Sequence, residues 1–164
     1  GPSGELALSI PTVKPDTLKC PMKDIRISDH GNWRHLHWNA LESAYRNSPF
    51  FEYYADDFRP FYEKKWDFLL DFNLAIQDTV CRLIDLQSQM SRSDQFLDEN
   101  CGPAEDCRFL IQPRVPAEQD AHFRAVPYYQ VFAERNGFLP NLSIADLLFN
   151  MGPESLLVLR DCCQ

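Results

Sequence analysis

The run FLPNLSIADLLFNMGPESLLVL, residues 138–159, leaves less freedom than any other stretch of the chain. Ser143 stands three residues before Asp146, directly ahead of Leu147, Leu148 and Phe149. This is the form of a capping box, in which each side chain satisfies a free backbone donor, so a helix is predicted to begin at Ser143. Gly152 can take the left-handed backbone that closes such a helix. Pro153, which has no amide hydrogen, suits the first turn of a second one, with Glu154 near its positive end. The expectation is a helical pair turning at Gly152, with the rest of the chain packed around it.

A second helix is predicted over 33–46. Asp29 or Asn32 can cap it, and Pro49 disfavours helical geometry in the residue before it. At about 100° per residue, Trp33, His37, Ala40, Leu41 and Ala44 share one face, while His35, Asn39, Glu42 and Arg46 take the other. His37 therefore points inward and His35 outward. The rings Phe50, Phe51, Tyr53, Tyr54, Phe58, Phe61, Tyr62 and Trp66 follow in one short span. They form either a core layer or a platform for planar groups and the apolar faces of sugars.

The longest helical period covers 66–86, where Phe68, Leu69, Phe72, Ile76, Val80, Leu83 and Ile84 make a broad stripe and predict a mostly buried helix. Asn73 lies inside that stripe. A buried amide without partners costs about 1–3 kcal/mol, so a backbone group or a ligand should satisfy it. Strands are expected over 5–10, 24–28, 108–112 and 128–132, the first two on the alternation of apolar and polar residues and able to pair. The polar span 88–107 predicts a short helix and a loop near Gly102. The fold class that follows is α+β: one helix-rich domain over 1–164, its few short strands gathered against the 66–86 helix and the C-terminal pair.

At 164 residues and 45% hydrophobic the chain can bury a substantial core. A formal charge of −8 with no Lys/Arg block argues against duplex nucleic acid or an anionic membrane as partner. No apolar run reaches the roughly 20 residues of a spanning helix, and the first residues have no signal-peptide pattern, so a soluble cytoplasmic protein is expected. Six cysteines lack the spacing of a disulfide framework or a zinc ribbon, and are read as thiols.

No dinucleotide fingerprint, phosphate loop, nucleophile elbow or His-Glu-x-x-His motif is present, so no cofactor is implied. His35 and His37 diverge by about 160° on a helix and cannot share a metal, and no metal site is expected. His37 is the candidate catalytic residue. On an apolar face an imidazole stays neutral and can accept a proton as a general base; the alternative is a core histidine bonded to a backbone carbonyl.

Three blocks carry a resemblance: GFLPNLSIADLLFNMGPES at 137–155, YYQVF at 128–132, and WRHLHWNALESAYRNSPFFEYY at 33–54. They resemble the WbqC-like protein family, whose genes are associated with bacterial surface polysaccharide (O-antigen) synthesis. The resemblance implies a further N-terminal section with a Gln-Pro and aromatic motif ahead of residues 6–13, which this sequence lacks. It also implies an acyl or aminoacyl transferase acting on an amino sugar, with a nucleotide sugar or saccharide as ligand and an enzyme of the same pathway as partner. His37 would then be the base, and Trp33, Tyr45, Asn73, Tyr129 and Asn150 the candidate substrate-binding residues. The contrasting expectation is a non-catalytic module that presents Phe50, Phe51, Tyr53 and Tyr54 to a saccharide or a protein.

Overall fold

A computed structural model describes residues 1–17, 19–87, 89–93 and 122–163. The expected strand at 108–112 and most of the 88–107 span lie outside the described residues. Among the described residues the helices are α1 (Trp33–Tyr45), α2 (Phe51–Glu63), α3 (Leu69–Leu83), α4 (Ala133–Asn136), α5 (Ile144–Met151) and α6 (Ser155–Cys162).

The core is organised on α5. Leu148 and Phe149 are fully enclosed, and the Phe149 ring meets Tyr45, Phe51 and Phe58 at centroid distances of 5.1, 5.1 and 5.2 Å. These tilted and edge-to-face contacts suit the ring quadrupole, so α5 holds α1 and α2 together from inside. The backbone repeats the connection, because the Phe50 amide donates to the Phe149 carbonyl at 2.9 Å. The span of rings is thus mainly core: Phe51, Tyr54, Phe58 and Phe61 are buried, and Tyr53 alone of α2's rings is widely exposed, at 74%. A second cluster of Ile27, Trp33, Phe61 and Phe72 joins α1 and α2 to α3.

Among the described residues the chain is helix-rich and forms no sheet. Among the described residues, pairing is confined to the isolated antiparallel bridges Thr12 with Ile27, Arg26 with Phe68 and Phe123 with Cys163. The two segments expected to pair do meet, but just past the alternating run, where Val13 N–H donates to the Arg26 carbonyl and Ser28 N–H to Pro11. Prolines at 11, 15 and 21 remove ladder donors, so the pairing cannot extend. Leu6 is 64% exposed, so alternation in 5–10 did not produce a covered face. Residues 128–132 form no strand either: the chain turns at Val131 and enters α4.

The mid-chain helix is shorter than its hydrophobic period. Ile27 N–H donates to the Asp67 carbonyl and Leu69 N–H to Ile25, so 66–68 is drawn into extended pairing and the helix starts at Leu69. At the other end, Asp85 at φ 56° lets Asp85 N–H reach the Arg82 carbonyl and Leu86 N–H the Cys81 carbonyl, the pair of bonds of a Schellman closure. Within α3 only Phe72 is buried; Ile76 and Val80 are half-buried and Asn73 is exposed. The apolar stripe is wider than the surface that meets it. Asn73 therefore needs no buried partner, contrary to the expectation from the wheel.

The C-terminal turn follows the sequence with one change. Ser143 caps α5, its Oγ accepting from Ala145 N–H at 3.3 Å, and Gly152 N–H closes the helix on the Leu148 carbonyl. Asp146 does not reach back to Ser143. Its carboxylate is buried and turned toward residues 128–130. Gly152, at φ 57° and ψ −129°, occupies a region essentially reserved for glycine, and the turn leads through Pro153 into α6.

Candidate functional site

A cavity of about 570 Å³ opens between α1, α2 and α3, with residues 142–145 at the start of α5 forming another wall and the N-terminal residues 1–10 edging it. Its surface is mainly apolar, contributed by Leu41, Phe58, Phe72, Ile76 and Val80, while His37, Tyr45, Tyr62, Gln77 and Ser143 bring polar atoms. This combination is the usual make-up of a small-molecule site.

His37 is 7% exposed, with its ring 5.2 Å from Trp33 and 6.2 Å from Tyr62, both near edge-on. Burial lowers the imidazole's pKa below its ordinary 6.5, against an opposing pull from a hydrogen bond to the Ser9 backbone. The ring is thus held neutral near neutral pH. A neutral imidazole has one N–H to donate and one nitrogen with a lone pair. His35 turns outward as its place on the wheel requires, its Nε2 2.9 Å from Asn39 Nδ2.

Tyr45 lines the same cavity and also a small gap beside Asp146. Burial, followed by the Asp146 charge and a hydrogen bond to it, raises the Tyr45 phenol far above the usual tyrosine range, so it acts as a permanent donor and not as a base. The same carboxylate accepts from Tyr128 Oη at 2.7 Å and Gln130 Nε2 at 3.2 Å. Gln130 also bridges to Leu139 through both ends of its amide, at 2.9 Å each. Asp146 is therefore a buried acceptor that ties α1 and the 128–139 connection to α5. Its capping position hid this role. The signal was the spacing of Tyr128 and Gln130, two residues apart on one side of an extended chain, with Tyr129 facing the opposite way.

The remaining candidates divide. Trp33 is buried behind His37, its indole N–H committed to the Ser28 carbonyl at 3.0 Å, and it does not line the cavity. Asn73 stands on the exposed side of α3, so His37 and Asn73 do not converge on one cleft. Tyr129 and Asn150 do come together, but in a separate cleft of about 560 Å³ beyond the far end of α5. His37 with Tyr45 and Tyr129 with Asn150 thus form two places, not one. Cys20, Cys81, Cys162 and Cys163 are thiols. Among the described residues, no helix is long and apolar enough to cross a membrane.

The chain belongs to the WbqC-like protein family, whose model matches residues 1–109. It is 26% identical over 157 residues to the uncharacterised protein Rv1507c of Mycobacterium tuberculosis, a match covering 83% of this chain and 68% of that one. No solved structure matches the chain.

Proposed function

We propose that the cavity beside His37 is a small-molecule site in which the chain transfers an acyl or aminoacyl group to the amine of an amino sugar, with His37 as general base. The observation that carries this reading is a buried imidazole, kept neutral by that burial, on the wall of a cavity large enough for a ligand. The mainly apolar walls suit the acyl part of a donor better than a whole sugar, because each hydroxyl buried without a partner costs about 1–3 kcal/mol. The acceptor's amine would arrive at the polar edge near His37, Tyr45 and Gln77. Its nitrogen forms the new bond to the acyl carbon and the bond to the donor's leaving group breaks. His37 takes the proton from the amine and passes it to that leaving group.

Asn73 has no part in this arrangement. A face of Phe50, Phe51, Tyr53 and Tyr54 offered to a saccharide is not supported, since Phe51 and Tyr54 are core residues. The family association with surface polysaccharide genes supports the amino sugar as acceptor; the apolar wall supports the acyl donor.

The test is a thermal-shift screen of the full chain against nucleotide-linked amino sugars and acyl or aminoacyl donors, followed by a transfer assay with the compounds that bind. A ligand at about 100 times its Kd adds roughly 2.7 kcal/mol of stability. His37→Gln should keep the shift and lose transfer. No shift from any donor or acceptor, or undiminished transfer by His37→Gln, would overturn the proposal.

A further inference from the structure

The second cleft contains an anomaly that the His37 cavity does not explain. Asn150, at the end of α5, is 3% exposed. Its Nδ2 donates to the Asp146 carbonyl at 2.8 Å, which settles the orientation of the amide, yet its Oδ1 has no hydrogen-bond partner. A buried acceptor left empty is costly, and Asp146, one turn earlier on the same helix, shows that a polar side chain here can be fully satisfied. Asn150 lines a cleft together with Phe50, Tyr129, Met151 and Glu154. Tyr129 is 56% exposed although it follows the half-buried Tyr128, and Glu154 is an exposed carboxylate that takes part in no ion pair among the described residues.

We infer that this cleft binds a guanidinium group, that of an arginine side chain or of free arginine. A guanidinium is planar, stacks on aromatic faces, and carries five N–H donors in a fixed fork with a permanent charge. The cleft offers what those features need: the Tyr129 ring as a stacking face, the Glu154 carboxylate for the charged edge, and Asn150 Oδ1 as an acceptor awaiting a donor. Met151 lines the same cleft, and its unbranched thioether chain can repack around a ligand that approaches the buried Oδ1. An ammonium would satisfy the carboxylate, but as a compact point charge it has no flat face to lay on Tyr129. The chain's net charge of −8 favours approach of a cation.

The experiment is a titration of the full chain, followed by amide and side-chain NMR, with N-acetylarginine amide, its lysine counterpart, its uncharged citrulline counterpart, and free arginine. The arginine amide should move the Asn150 side-chain amide signals and bind at least about tenfold more tightly than the lysine or citrulline compound. Comparison with free arginine separates a peptide side chain from the free amino acid. Glu154→Gln should weaken binding about fivefold and Tyr129→Ala about two- to fivefold; both residues are exposed, so the fold should tolerate these changes. Asn150→Leu should reduce binding at least about tenfold. Equal affinity for the arginine and lysine compounds, unmoved Asn150 signals, or affinity unchanged in both Glu154→Gln and Tyr129→Ala would overturn the inference.

Discussion

Gly152→Ala tests how the core is closed. The residue sits at φ 57° and ψ −129°, where any other side chain adds strain of about 1–3 kcal/mol. A Cβ placed there would lie 2.5, 2.6 and 2.7 Å from Cδ1, Cγ and Cε1 of the Phe50 ring. Carbon atoms rest at about 3.5–4.0 Å, so the ring would have to retreat by about 1 Å. It is poorly placed to do so, because the Phe50 amide is bonded to the Phe149 carbonyl and Phe50 opens α2. Overpacking of this kind adds about 1–3 kcal/mol, for a total of about 2–6 kcal/mol. A domain of ordinary stability, about 5–15 kcal/mol, would lose a large share of it. Urea unfolding of the wild type, Gly152→Ala, Phe50→Ala and the double variant measures the effect. In the Phe50→Ala background the clash is gone and only the backbone strain remains, so the glycine substitution should cost less there. A loss below about 0.5 kcal/mol for Gly152→Ala, or equal losses in both backgrounds, would refute the reasoning.

Three further outcomes follow from the packing and the charges. Phe149→Ala removes a ring enclosed by three others and should cost about 3–5 kcal/mol, read as a lower urea midpoint at unchanged slope. Asp146→Asn sets an amide donor against the Tyr128 and Gln130 donors and should cost about 1–3 kcal/mol; equal or higher stability in thermal unfolding would mean those bonds do not depend on the carboxylate. His37, with its folded pKa below 6.5, makes the unfolded chain bind more protons under acid conditions. Stability should therefore fall as pH drops below about 6.5 toward the folded value, and His37→Gln should flatten that decline in unfolding measured across pH. Asp29, whose carboxyl Arg34 and Lys65 hold below the usual 3.8, contributes in the same direction but only at lower pH, so the two windows are distinct.

Local features were legible where the physics is local. The cap at Ser143, the closure at Gly152, the extent of α1 and the opposed faces of His35 and His37 all follow from spacing and backbone preference, and each stands in the structure. The candidate residues were legible only as types. Nothing in the spacing distinguished Asn73, which is exposed, from Asn150, which is buried, because a wheel assumes that every apolar stripe is fully covered. Nor could it show that His37 and Tyr45 share one cavity while Tyr129 and Asn150 share another.

By itself, the sequence determined a helix-rich chain with a dense span of aromatic rings, built on a C-terminal pair that only a glycine could turn at 152. Those properties depend on side-chain shape, backbone freedom and hydrophobic period, all carried by neighbours in the chain. Tertiary structure decided what needed partners distant in sequence: that 66–68 would pair with 25–27 instead of extending α3, that Asp146 would receive Tyr128 and Gln130, and that the alternating segment at 5–10 would edge a cavity and not enter a sheet. Burial and hydrogen-bond satisfaction are settled by those distant partners, and it is they that separate a capping aspartate from a buried acceptor.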